Sequence, residues 1–183
     1  MRVITGTARG RKLKELPGLD PRPTTDKVKE SIFNIVQFDV EGRRVLDLFA
    51  GTGQLGIEAL SRGAERCVFV DASKEAARII KENVSLTGFA DRARVTQGDA
   101  MSFLTSCREK FGLAFLDPPY ASDLLDQALE RMAAIDIMTE NGIIVCESAL
   151  EKVLPDLSGP YERGREYRYG KIKLTLYRRQ AGL

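Results

Sequence analysis

Between residues 44 and 147 the chain alternates short, uniformly apolar runs with longer segments whose apolar residues recur at helical spacing. The runs at 44–49, 67–71, 94–97, 113–116 and 142–147 read as five strands. Leu55 to Arg62 reads as a helix stopped by Gly63. Ser73 caps a second helix, which carries Ala76, Ile79, Ile80 and Val84 on one face. Further helices are expected at about 100–110 and 124–133. Strands this short, apolar on both faces and separated by helices, indicate a parallel sheet covered on both sides. The ends of the chain differ. Residues 2–16 read as two short strands around Ala8-Arg9-Gly10. Residues 21–26 form a loop into a helix with Val28, Ile32, Phe33, Ile35 and Val36 on its apolar side. Residues 165–169 and 171–178 alternate with period two around Gly170, a β-hairpin signal.

Composition narrows the class. At 183 residues and 43% hydrophobic, the chain suits one domain with its own core and a small appendage. No apolar stretch approaches a membrane span, and the N-terminus lacks the apolar block of a signal peptide. Cys67, Cys107 and Cys146 are scattered and form no C-x-x-C, which fits a reducing cytoplasm and argues against a zinc site or disulfide scaffold. The chain contains no histidine, which excludes His-dependent triads and most catalytic metal sites, so no metal is expected. Net charge is only +2, but it is unevenly spread. Lys/Arg outnumber Asp/Glu eight to three in residues 1–29 and seven to two in 161–183, while acids lead twenty-one to thirteen between them. Basic ends on an acidic body suggest a polyanionic partner at the ends.

The chemistry gathers at predicted strand ends. Asp47-Leu48-Phe49-Ala50-Gly51-Thr52-Gly53-Gln54-Leu55-Gly56 joins the first strand to its helix, with glycines for a tight turn and free N–H groups at the helix start. The spacing contains G-x-G-x-x-G, and Asp71 lies twenty residues past Gly51, so a nicotinamide-dependent oxidoreductase competes. Asp99, in Gly98-Asp99-Ala100, ends the third strand. Three acids suit a ligand with an ammonium group (Asp47, directly or through water), a ribose diol (Asp71) and an adenine amine (Asp99). S-adenosylmethionine has all three and carries no phosphate for acids to repel. Asp117-Pro118-Pro119-Tyr120 ends the fourth strand. Its prolines hold a stiff extended turn that leaves a carboxylate, backbone carbonyls and a ring facing outward, a set suited to gripping a planar amino group.

The D-L-F-A-G-T-G, V-D, G-D-A and D-P-P-Y motifs, in that order, resemble the class I S-adenosylmethionine-dependent methyltransferases. Arg2-Val3-Ile4-x-Gly6-x-Ala8-Arg9-Gly10-Arg11 and Arg22-Pro23-Thr24-x-Asp26-x-Val28-Lys29-Glu30 narrow the resemblance to the bacterial 16S ribosomal RNA (guanine-966-N(2))-methyltransferases. It covers almost the whole chain. It implies a Rossmann-like α/β fold: a seven-stranded, mostly parallel sheet with helices on both faces, a C-terminal antiparallel hairpin and a small N-terminal hairpin/helix extension, divided as residues 1–40 and 41–183. It implies methyl transfer from S-adenosylmethionine to the 2-amino group of a guanine in 16S ribosomal RNA. The small basic flanks suggest that a protein-bound small-subunit particle supplies part of the binding, and a cytoplasmic monomer is expected. Asp117, Pro118 and Tyr120 would be catalytic: Asp117 and the Pro118 carbonyl hold the two N–H bonds, and Tyr120 stacks on the base. Asp47, Phe49, Gly51, Gly53, Asp71, Asp99, Ala100 and Thr24 would bind the cofactor. The loop bearing Arg22 and Thr24 would either close over the cofactor's methionine end or cap the following helix. Phe103, like Phe49, would pad the cofactor or belong to the core. Arg9, Arg11, Lys12, Lys14, Arg22, Arg165, Arg168, Lys171 and Lys173 would meet RNA phosphates. Competing readings are another D-P-P-Y enzyme such as a DNA adenine methyltransferase, the oxidoreductase, and a catalytically silent RNA-binding assembly factor.

Overall fold

The computed structural model describes residues 1–18 and 25–182. Five apolar strands form the parallel heart of the sheet: β1 (Arg44–Leu48), β2 (Arg66–Asp71), β3 (Ala93–Gln97), β4 (Phe111–Leu116) and β5 (Met138–Ala149). The hairpin β6 (Tyr161–Tyr169) and β7 (Ile172–Arg179) completes a seven-stranded sheet in the order β3-β2-β1-β4-β5-β7-β6, with β7 antiparallel to both neighbours. Five helices accompany the strands: α1 (Thr25–Ile35), α2 (Gln54–Ser61), α3 (Lys74–Thr87), α4 (Ala100–Ser106) and α5 (Leu124–Ala134). The strand order reverses between β1 and β4, which opens a crevice beyond their carboxyl ends.

Alternation along each strand divides the core. Val45, Leu113, Phe115, Ile143 and Val145 face one layer with Ile57, Ile80 and Val84, while Leu46, Leu48, Ala114, Leu116, Ile144 and Cys146 face the α4–α5 layer. The first layer also takes in Val3, Ala8 and Leu13 from the N-terminal segment and Val28, Ile32, Phe33 and Val36 from the α1 region. The N-terminal extension therefore shares one continuous core with the sheet.

Several elements differ from the sequence expectation, each for a physical reason. Of the two strands expected in residues 2–16, one antiparallel bridge, Arg2 to Lys12, is formed. The Ile4 and Thr5 amides donate instead to the Glu58 carboxylate, at 2.9 and 3.0 Å. Helix α4 ends at Ser106 because Arg108, Glu109 and Lys110 offer no apolar face to continue it. Strand β5 begins four residues early, at Met138, with an irregularity against β4 that Asn141 accommodates at φ 60. Strand β6 likewise begins at Tyr161, past an irregularity between Arg163 and Glu166 that broke the alternation.

Candidate active site

The turn after β1 is built by backbone conformation and close packing. Phe49, Gly51 and Gly53 all have positive φ, at 66, 60 and 81. A Cβ on Gly56 would lie 2.3 Å from the Phe69 ring and 2.6 Å from Cys67 Sγ, so this glycine lets α2 press against β2. A Cβ on Gly51 would meet nothing within 4 Å, which leaves that backbone open toward the crevice. Two carboxylates brace the turn. Asp47 Oδ2 accepts from the Gly56 amide at 2.9 Å, inside the first turn of α2. Asp71 Oδ2 accepts from the Gly51 amide at 2.9 Å, and its Oδ1 from the Ser73 amide at 2.9 Å. Asp99 caps α4 by accepting from the Ser102 amide at 2.9 Å.

A cleft of about 740 Å³ opens over these strand ends. Phe49, Gly51, Asp71, Asp99, Ala100, Asp117, Pro118 and Tyr120 all line it, as the sequence led us to expect of a shared site. Asp47 and Gly53 stand behind the wall instead: Asp47 is only 3% exposed. Burial pushes the Asp47 carboxyl well above the usual carboxylate range, with the charges of Asp117 and Asp71 adding to the effect and the Gly56 hydrogen bond opposing it. Phe103 belongs to the core beneath α4. Thr24 and Arg22 lie outside the described residues.

Sequence reasoning missed most of the far wall, reaching only the loop that ends at Asp26. Met1, Glu15 and Leu16 from the N-terminal segment line the cleft, as do Asp26, Val28, Lys29 and Ile32 from α1, Glu147 from β5 and Ile172 from β7. Glu147 accepts from the Tyr120 hydroxyl, tying the D-P-P-Y turn to the end of β5. The N-terminal wall is anchored by buried polar groups. Glu58, fully buried, accepts from Ile4, Thr5 and the Arg62 Nε. Ser61 Oγ accepts from the Ala8 amide at 3.0 Å and donates to the Thr5 carbonyl at 2.6 Å. Asn83 bonds both backbone groups of Lys14 and the Thr52 carbonyl. Lys29, 1% exposed, donates to the Arg2 carbonyl at 2.6 Å, and burial lowers its ammonium pKa despite Glu58 nearby.

The lining carries six acids (Glu15, Asp26, Asp71, Asp99, Asp117 and Glu147) against two cationic groups among the described residues, Lys29 and the Met1 α-ammonium, which pairs with Glu15 at 3.0 Å. Such a field favours a cationic ligand and opposes a pyrophosphate, so the G-x-G-x-x-G turn is poorly matched to a dinucleotide. Of the expected phosphate contacts, Arg9, Arg11, Lys12, Arg165, Arg168 and Lys171 are exposed. Lys173 is buried and paired with Glu166 at 3.3 Å, and Lys14 is paired with Glu82 at 2.6 Å.

The family model described as "Conserved hypothetical protein 95" matches residues 1–178. A Bacillus subtilis protein provisionally named an rRNA methyltransferase is 42% identical over 183 residues, covering 98% of this chain and 100% of the relative. The Escherichia coli ribosomal RNA small subunit methyltransferase D is 35% identical, covering 99% of this chain and 91% of the relative. A solved Escherichia coli structure, 35% identical, superposes with a TM-score of 0.89 over 100% of this chain and 99% of that one. An RNA methyltransferase from Salinibacter ruber, solved with S-adenosyl-L-homocysteine, shares the fold at a TM-score of 0.64 and 15% identity, covering 90% of this chain and 96% of that one.

Proposed function

The chain belongs to the Conserved hypothetical protein 95 family, and on that premise we propose that it transfers a methyl group from S-adenosylmethionine to the exocyclic 2-amino group of a guanine in 16S ribosomal RNA. The observation that carries this reading is one anionic cleft holding both the glycine turn after β1 and the D-P-P-Y turn after β4. The names of the Escherichia coli and Haemophilus influenzae relatives, small subunit methyltransferases, support the RNA class. The position guanine-966 follows from the family resemblance. In the cell the enzyme would work in the cytoplasm, as a monomer, on a protein-bound small-subunit particle.

The cleft residues fit the methyl donor. The open Gly51 backbone admits close approach, Asp71 and Asp99 offer carboxylate lone pairs at the rim, and Phe49 and Leu55 supply apolar wall. When bound, S-adenosylmethionine supplies an electrophilic methyl on a sulfonium. The chain's own part is positional. The lone pair of a guanine amine is delocalised into the ring, so the amine is a weak nucleophile. Asp117 and the Pro118 carbonyl accept its two N–H bonds and aim the lone pair. Holding reactants in attack geometry can supply roughly 7–11 kcal/mol of a barrier. The bound donor would give up its methyl and keep a neutral thioether, and the chain's part is to take the amine's proton at Asp117, directly or through water. Tyr120 presents its ring to the base. A paired base cannot reach such a site, so the target is single-stranded or flipped out.

Described residues of the N-terminal extension, Met1, Leu16 and Ile32 among them, form part of the cleft's outer wall, and in this reading Arg22 and Thr24 contact cofactor or RNA. The test is transfer from radiolabelled S-adenosylmethionine to small subunits lacking the modification, followed by nucleoside digestion. Label in N(2)-methylguanosine is the expected result. Label in another nucleoside would keep the chemistry and discard the target, and no transfer despite cofactor binding would discard the activity.

A further inference from the structure

Glu147 does no work in the mechanism just derived, yet it stands beside the reacting centre. Strands β4 and β5 run in parallel register up to Leu116 and Cys146. One residue further, Asp117 leaves the end of β4 beside Glu147, which lies near the end of β5, and both line the cleft. The Tyr120 hydroxyl donates to Glu147 Oε1, so the carboxylate is held against the D-P-P-Y turn. A carboxylate offers about four lone-pair sites, so it can take the Tyr120 hydroxyl and still serve other donors. Two acid groups therefore flank the place where an amino group is to be held.

We propose that Glu147 is a specificity-determining residue that accepts the ring N1–H of guanine while Asp117 holds the neighbouring 2-amino group; this rests on the guanine reading above. The reason is base chemistry. Guanine's amine sits next to a ring N–H, so its edge offers donors side by side. Adenine's amine is flanked by two ring acceptors, N1 and N7. Cytosine's amine has an acceptor, N3, on one side and a C–H on the other. An ionised carboxylate only accepts. Placed beside the amine site, it hydrogen-bonds guanine and sets lone pair against lone pair for adenine and cytosine. Sites built to bond a particular ring group reject analogues that lack it, because the buried partner is left unsatisfied.

The test uses target RNA carrying guanine or 2-aminopurine at the methylated position. The analogue keeps the 2-amino group but has no N1–H. The unaltered enzyme should favour guanine in kcat/KM by roughly tenfold or more. Glu147→Gln keeps the acceptor for Tyr120 and nearly the same volume, but its amide can turn an NH₂ toward a bare N1. The guanine preference should therefore fall toward unity, while calorimetry still shows the variant binding the cofactor. Comparing the two ratios cancels the intrinsic reactivity of the bases. A preference unmoved by Glu147→Gln overturns the inference. So does an unaltered enzyme that uses both bases equally, a measurement that stands even if the variant fails to fold. If the unaltered enzyme methylates no guanine at all, the proposed function fails and this inference with it. If guanine is methylated and the ratio does not move, only this inference fails.

Discussion

Asp117 and Asp47 sit on neighbouring strand ends in opposite environments, and their substitution should separate catalysis from folding. Asp117 is exposed on the cleft wall. Asp117→Ala should lower kcat by roughly 10²–10⁴-fold, the range for a positioned proton acceptor, and leave cofactor affinity nearly unchanged. Equal loss of both, measured by single-turnover transfer and calorimetry, would mean that the residue shapes the pocket rather than the reaction. Asp47 is buried, with its proton affinity raised chiefly by desolvation. Its pKa is higher folded than unfolded, so the folded chain holds the proton more tightly. Stability at this residue is therefore greatest at low pH and declines as pH rises from the ordinary carboxylate range, about 3.9, toward the raised folded value. Asn at this position still accepts the Gly56 amide and carries no charge. Asp47→Asn should flatten that decline in urea unfolding as pH rises through the carboxylate range. An unchanged pH slope would show that Asp47 titrates normally.

At the scale of elements, the N-terminal segment is held by side chains that give no local sign of doing so. Glu58 looks like one polar position on a short helix, yet it receives two backbone amides from 53 and 54 residues away. Glu58→Ala would leave those amides, Arg62 and Lys29 without their buried partner. A loss of about 3–5 kcal/mol is expected, as for removing one member of a buried charge pair. Hydrogen exchange should show the Ile4 and Thr5 amides opening well before those of β1 and β4. Equal protection throughout would mean that the segment is held by its apolar contacts alone. The same contrast marks what could be read from the chain. The parallel strands and the cleft's inner wall were legible because strand periodicity, glycine turns and strand-end acids are local signals. The outer wall was not: Ser61, Asn83 and Glu58 act across long sequence separations, and polar Thr139 and Glu140 hid the first half of β5. Glu147 escaped notice because an acid near the end of a strand has no distinguishing pattern until Tyr120 is seen to donate to it.

At the scale of the whole molecule, the two basic ends of the chain lie at different distances from the cleft. Ile172 pairs with Ala149, two residues past Glu147, so the end of the β6–β7 hairpin, with Arg168 on β6 and Lys171 in the turn, stands at the carboxyl edge of the parallel strands, beside the site. Arg9 follows Thr7 and Ala8, which dock on Ser61 at the last turn of α2. That is about 10 Å along the helix from Gln54 on the cleft wall, at 1.5 Å per residue. RNA reaching only the cleft rim meets the first patch, whereas a long substrate can meet both. Binding of a short stem-loop should weaken steeply with salt. Arg168→Ala with Lys171→Ala should reduce the log–log slope by about 0.7 for each phosphate left without its cation, the single-strand value. Arg9→Ala with Arg11→Ala should leave the stem-loop slope alone and reduce the slope measured on small-subunit particles. If both pairs act equally on the stem-loop, the RNA runs along the N-terminal segment itself. In that case the tip of that segment, rather than the β6–β7 turn, would be the main guide of the target base into the anionic cleft.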